Sequence, residues 1–323
     1  MKVILYLIAA ALVFFSAQTL RCEDIIKVLI LENPSDPFPV KNAKNMGHLK
    51  GEIFFNDNNY QGSVEVREDE NGLHFIYEIP FEKYVEGVIN AETGEDWAYE
   101  ALKAQAVISR TYALYQKNLN SAKAFHITSS VLHQAYKGEN RSEIISQAVS
   151  ETEGEILTYG GKPIEAFYHS TCTGKTELPY AVWGKSYEYL KSVPCRGEYS
   201  PYERWQRRFS LDEIEKALGL DGIKDLSIAS FTSTGRADLI RVVSEDSETE
   251  IKALDLRKNL GYRELPSTHF SLTMDGKDVI FEGGGYGHGV GLSQWGSLEM
   301  AHKGNDYREI LEYYYHGTVL EKQ

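Results

Sequence analysis

The hydrophobic period changes at Phe81, and that change sets what the chain can fold into. Residues 24–80 carry short apolar runs, among them Val28-Leu29-Ile30-Leu31 and His74 to Ile79, separated by clusters of Asn, Gly, Asp and Pro. That is the pattern of strands and turns. From Phe81 the apolar positions Phe81, Tyr84, Val85, Val88 and Ile89 follow the i, i+3, i+4 spacing of a helix with one buried face. A second helix is predicted from about Tyr99 to Gln116, with Asp96 as its N-cap and alanine-rich faces suited to close packing. A third is predicted over Ser142 to Thr152. The stretch EILTYGGKPIEAFYHS reads as a hairpin turning at Gly160-Gly161.

Beyond Cys195 the signals thin out. SLDE at 210–213 is a capping box that opens a short helix to Leu218, closed by Gly219. Another short helix covers about Ala253 to Leu260, and strand-like segments such as Leu239 to Val243 fill the intervals, so residues 200–280 are expected to form a smaller lobe. Ser293 to His302 and Asp306 to Tyr315 read as two terminal helices. Strand and helix signals alternate without a repeat. This predicts an α+β fold of mixed helices and short, mainly antiparallel strands.

A chain of 323 residues, 42% apolar and 25% charged, can bury one large core or two modest ones. Its net charge of -13 argues against nucleic acid as a ligand, since such binding needs a basic stripe. Lys2 followed by an apolar run from Val3 to Phe15 resembles a secretory signal within residues 1–22. An uncleaved anchor reaching Leu20 is the alternative. Arg21 before Cys22 is a poor fit to a lipidation site. Export favours a disulfide between Cys172 and Cys195; metal ligation through Cys172 and His169, or through His126 and His133, and unpaired thiols stay open beside it.

Two placements point to chemistry. Three residues beyond Ile89, the stripe of the first helix reaches Glu92, so a carboxylate falls on the core-facing phase, where loss of water raises its pKa and makes it a general acid. The competing reading is a helix-end glutamate turned to solvent near Gly94. Lys103 and Arg110, seven residues apart, share one stripe of the next helix; that stripe is either a solvated face or a cationic face for an anionic substrate group. Gly283 to Gly296, GGGYGHGVGLSQWG, holds seven glycines in fourteen residues. It lacks the strand-GxxxxGK[ST]-helix context of a phosphate loop. His288, Ser293 and Gln294 are its candidate polar contacts, and Trp295 is either packing or a sugar platform.

YVEGVINAETGEDWAYEALKAQAVISRTYAL, EAFYHSTCTGKTELPYAVWG with YLKSV, and GYGHGVGLSQWGSLEMAHKG resemble, in order and spacing, three blocks of the stage II sporulation protein D family of peptidoglycan lytic transglycosylases. TGRADL and LRKNLGYRELPSTHF fit the looser spacing between them, so the likeness spans most of residues 80–320. It implies a grooved catalytic core over residues 81–199, completed by 281–323, beside the strand-rich segment 23–80 and the lobe 200–280. It implies that Glu92 is the catalytic acid and that Lys103 and Arg110 serve activity by binding substrate. The implied reaction cleaves the MurNAc-GlcNAc bond of glycan strands stripped of stem peptides and leaves a 1,6-anhydro end. Amidase-enhancer members imply the alternative, a non-catalytic wall-binding protein that stimulates a partner amidase.

Three departures stand out. Thr93-Gly94 replaces the usual Met-Pro, and Thr173 stands where a second glycine is typical. FHITSSVLHQAYKG lacks the cysteines through which some members bind zinc, so a four-ligand zinc site does not carry over; a structural zinc stays open without support from ligand spacing, and the implied chemistry itself requires no cofactor. A metal-dependent hydrolase built on His126, His133 and His169 remains as a third reading.

Overall fold

The protein is described from a computed structural model covering residues 25–30, 44–55, 58–70, 72–130, 133–139, 142–245 and 247–323. The expected signal or anchor at 1–22 lies outside the described residues. None of the described helices is long and apolar enough to cross a membrane.

The fold is α+β, with small, mostly antiparallel sheets and eight described helices. Strands Ile25–Ile30, Lys44–Phe55, Asn58–Asp69 and Gly72–Pro80 form an antiparallel sheet that the short strand Ile127–Thr128 joins in parallel beside Ile25–Ile30. Ile26, Val28, Tyr77 and Ile79 enter the same core as the helices that follow. The strand-rich segment is therefore part of the main body.

Helix α1 (Phe81–Glu92) buries Phe81, Tyr84, Val85, Val88 and Ile89, the stripe its sequence carries. Its end answers the Thr93-Gly94 departure. The Thr93 hydroxyl donates to the Ile89 carbonyl at 3.0 Å, the Gly94 N–H donates to the same carbonyl at 3.2 Å, and Gly94 takes φ +81°. Thr93 caps the helix and the left-handed Gly94 follows, so the Glu92 carboxylate sits at a fixed helix terminus.

Helix α2 (Tyr99–Leu119) is buried on nearly every side, packing against α1, α3 (Glu143–Glu151) and the strand Glu155–Tyr159. Alanines at 101, 104, 106 and 113 permit this close approach on several faces. Its N-cap is Ala98, with no side-chain cap bond, so the expected capping by Asp96 does not occur. The burial of the following turn holds the start of this helix.

Residues 172–195 carry the five-residue α4 (Pro179–Trp183) and are closed by a Cys172–Cys195 disulfide with Cα atoms 5.9 Å apart, an ordinary separation for such a bond. The metal reading for Cys172 falls with it, because the sulfur is already bonded.

A second hydrophobic cluster draws on Trp205, Phe209, Ile214, Ile240, Leu256 and Phe281. It holds two three-stranded sheets, α5 (Leu211–Leu218) and α6 (Ala253–Leu260). Ser210 and Glu213 form the reciprocal capping box read from SLDE, and Gly219 closes α5 at φ +66°.

The chain then returns to the main core through α7 (Gln294–His302) and α8 (Tyr307–Tyr314), and Val319–Lys322 pairs with Glu155–Tyr159. The glycine-rich loop before α7 is packed against protein. A Cβ on Gly291, at φ +72°, would lie 1.9 Å from the Phe167 carbonyl oxygen. Gly291→Ala is therefore expected to destabilise the fold by about 2–4 kcal/mol, through a clash and a disfavoured φ together. A denaturant midpoint equal to that of the parent would refute this.

Candidate active site

Glu92 lies on the floor of a cavity of about 580 Å³, and groups from all three sequence blocks converge there. The Ala135 N–H donates to Glu92 Oε1 at 2.8 Å, the Tyr168 hydroxyl donates to the same oxygen at 3.2 Å, and Gln294 Nε2 donates to Oε2 at 3.2 Å. Each donor has its own support. Gln134 is fully buried and bonded to the Tyr84 hydroxyl and the Ser109 carbonyl, while Tyr136 stacks on Tyr84. Together they hold Ala135 in place. Tyr168–His169 pairs in parallel with Leu292–Ser293, which brings Tyr168 and Gln294 to the same carboxylate from residues 126 positions apart.

Burial raises the Glu92 pKa, and the three hydrogen bonds pull it back only in part. Desolvation therefore outweighs the donors, and Glu92 holds its proton to higher pH than an exposed glutamate. Oε1 already accepts two hydrogen bonds and Oε2 one, so Oε2 is the oxygen better able to carry that proton.

His288 also lines the cavity, but its Nδ1 accepts from the Val290 N–H at 3.0 Å, and burial, with nearby Arg257 and Arg236, holds its pKa down to about 3. It is a neutral imidazole that caps its own loop. His169 is neutral too, its pKa driven well below the usual value by burial; its Nδ1 donates to the Val290 carbonyl at 3.1 Å.

Several expected site residues lie elsewhere. Lys103 does not line the cavity: its ammonium pairs with Glu100 at 2.5 Å and packs over the Tyr99 and Tyr307 rings. Arg110 does face α1, but at the opposite end from Glu92, in a two-point pair with Glu82 at 2.8 and 2.7 Å. Its Nη1 donates to the Glu155 carbonyl at 3.0 Å. Both cations are thus committed to structure.

Ser293 is fully buried and serves as the N-cap of α7, accepting from the Gly296 N–H at 3.2 Å and the Cys172 N–H at 3.1 Å. Trp295 is not among the cavity residues; it packs on Trp97 with centroids 5.2 Å apart.

The histidine set does not assemble into a metal site. His126 Nδ1 accepts from the Lys27 N–H, and His133 Nδ1 accepts from the Thr128 N–H. Among the described residues the one cluster with ligand-like spacing is His48, Glu65 and Glu78. There Glu65 already binds Arg67 and Asn45, and Glu78 pairs with Lys27, so those carboxylates fit cationic side chains better than an ion.

Sequence reasoning missed Glu165, a second carboxylate lining the cavity, whose Oε2 accepts from the Tyr187 hydroxyl at 2.7 Å. Alternation was the available signal: Ile164 and Ala166 are buried, which turns Glu165 and Phe167 to the other face. It also missed Tyr168 and Trp183 as cavity residues.

Residues 69–159 match the family described as Stage II sporulation protein, and residues 197–291 match one described only as a domain of unknown function. The chain is 33% identical over 272 residues to an uncharacterized protein of Brachyspira hyodysenteriae, covering 81% of this chain and 72% of that one. It is 33% identical over 266 residues to the stage II sporulation protein D of Bacillus subtilis, covering 76% of each. It is also 28% identical over 289 residues to the amidase enhancer of Bacillus subtilis, covering 73% of this chain and 40% of that protein. With a third of its residues identical across three quarters of both chains, this protein belongs to the stage II sporulation protein D family.

Proposed function

We propose that the protein is an exported, wall-acting lytic transglycosylase that cleaves the MurNAc-GlcNAc bond of denuded glycan. The observation that carries this reading is the half-buried Glu92 carboxyl, with raised pKa and three oriented donors, lining a cavity. Glu92 donates its proton to the glycosidic oxygen as the C1–O bond breaks. The sugar's own 6-hydroxyl then forms the new bond to C1 and gives its proton to the Glu92 carboxylate, so the acid is restored and no water is consumed. General acid-base action of this kind contributes about 10²- to 10⁴-fold. Positioning by the cavity supplies more. The sequence at 1–22 and the disulfide support an exported location, in periplasm or wall.

Glu165 leaves a hydrolytic course chemically open, since a second carboxylate can activate water. Mass spectrometry of the products from purified protein and denuded glycan separates the two: the anhydro end is one water lighter than a hydrolysed end. Reducing ends alone would favour hydrolysis, and no product at all would reject Glu92 as a glycan-cleaving acid.

The second reading is a non-catalytic wall-binding protein that stimulates a partner N-acetylmuramoyl-L-alanine amidase. The likeness to a protein named amidase enhancer favours it. Glycan capture without cleavage, together with faster stem-peptide release when an amidase is added, is its expected signature.

The pH profile gives a further test. The Tyr168 hydroxyl stabilises the Glu92 carboxylate, so Tyr168→Phe is expected to raise the Glu92 pKa further. Activity that needs the protonated acid falls as pH rises through that pKa. Its alkaline limb should therefore move to higher pH in the variant; a limb that stays put or moves down would exclude Glu92 as the titrating acid.

A further inference from the structure

The cavity's outer wall carries an aromatic ring and a cation that acid catalysis does not use. Residues 173–194 form a strap whose ends are joined by the Cys172–Cys195 disulfide and by the antiparallel pairing of Gly174–Lys175 with Pro194–Cys195. Thr176 and Val193 exchange two hydrogen bonds of 2.9 Å across it. The Glu177 N–H donates to the Gly289 carbonyl at 2.8 Å, and the Glu177 carboxylate accepts from the Thr232 and Thr234 hydroxyls at 2.7 Å each. The strap is thus tied to the glycine loop on one side and to the smaller lobe on the other. What it displays is held before any ligand arrives.

On this strap α4 ends at Trp183, Gly184 turns the chain at φ +67°, and Lys185 follows. Both Trp183 and Lys185 line the cavity that holds Glu92. Trp183 stacks on Phe167 with centroids 4.3 Å apart and rings 21° from parallel, and it meets His288 at 5.0 Å. It nevertheless keeps 39% of its surface exposed. Phe167 covers one indole face, and the indole itself lines the cavity. Lys185 is exposed and has no ion-pair or hydrogen-bond partner among the described residues, although the chain's net charge is -13.

We propose that Trp183 and Lys185 form a subsite for an acidic hexosamine. The sugar's C–H face lies on the open indole surface, and its carboxylate pairs with the Lys185 ammonium. This rests on the glycan reading above and specifies the sugar: a muramic acid unit whose lactyl carboxylate is free. A stem peptide turns that carboxylate into a neutral amide and removes the partner of Lys185. The subsite therefore distinguishes bare strands from peptide-bearing ones by charge, at a position carried by the strap and separate from the Glu92 donors.

The test is binding without cleavage, in the Glu92→Gln background, measured by calorimetry with three oligosaccharides. One carries free lactyl carboxylates, one the same groups as carboxamides, and one is a chito-oligosaccharide with no lactyl group. The parent is expected to prefer the carboxylate over the carboxamide by about fivefold, the upper range for an exposed pair. Lys185→Met should erase that preference and leave chito-oligosaccharide binding unchanged. Trp183→Ala should weaken all three by about tenfold, with Trp183→Phe recovering part of the loss. A carboxylate preference that survives Lys185→Met, or equal binding of all three by the parent, overturns the proposal. A protein that recognised the sugar without cutting it would fail the anhydro-product assay and still pass this one.

Discussion

Glu92→Gln protein is expected to fold normally and to release anhydro-ended fragments at least about a hundredfold more slowly than the parent. The amide fills the same space, its oxygen can still accept from Ala135 and Tyr168, and its NH2 can meet Gln294 once that amide turns its oxygen inward, but it has no proton to give the leaving oxygen. A companion measurement separates chemistry from folding. Because burial raises the Glu92 pKa in the folded state, the native protein binds this proton more tightly than the unfolded chain does. Its contribution to stability is fully present below the unfolded pKa, about 4.3, and is lost as pH rises toward the folded value. The glutamine variant has no such loss, so its melting temperature relative to the parent should climb across that interval and level off above it. Full activity in the variant would remove Glu92 from the mechanism, and a flat difference in melting temperature would remove the raised pKa.

Arg110→Met is expected to cost about 3 kcal/mol of stability and to leave glycan affinity of the folded fraction unchanged. The Arg110 side chain is 3% exposed and holds Glu82 at two points, with a further bond to the Glu155 carbonyl. Its loss strands Glu82, whose side chain is 32% exposed and recovers part of its hydration. The double variant with Glu82→Gln should regain some of the stability, which a cycle of single and double variants measures directly. If Arg110→Met instead weakens glycan binding with no change in melting, Arg110 returns to the substrate site.

The contrast between Glu92 and Arg110 explains what could be read from the residues alone. A stripe with one apolar face, as on α1, predicts which way its next member points, and Glu92 followed that phase to the cavity floor. Helix α2 is buried almost all round. On such a helix a shared stripe says that Lys103 and Arg110 are neighbours and says nothing about which of several partners they face. Caps written in sequence, such as Ser210 with Glu213, were legible because both partners lie within one turn. The start of α2 was not, since packing replaces a cap there. Ser293, a candidate polar contact at the start of a predicted helix, is instead taken up as the N-cap of α7. Glu165, Tyr168 and Trp183 lie 73, 76 and 91 residues from Glu92, and no local window contains such separations.

That last property bears on when the site comes into being. The bond from Gln294 to Glu92 spans 202 residues, and the closing strand Val319–Lys322 lies against Glu155–Tyr159. Synthesis proceeds amino end first, so the carboxylate is made long before the amide that completes its setting. Contacts of such long separation form slowly. The nascent chain therefore cannot complete the hydrogen bonds around Glu92 until Gln294 has been made.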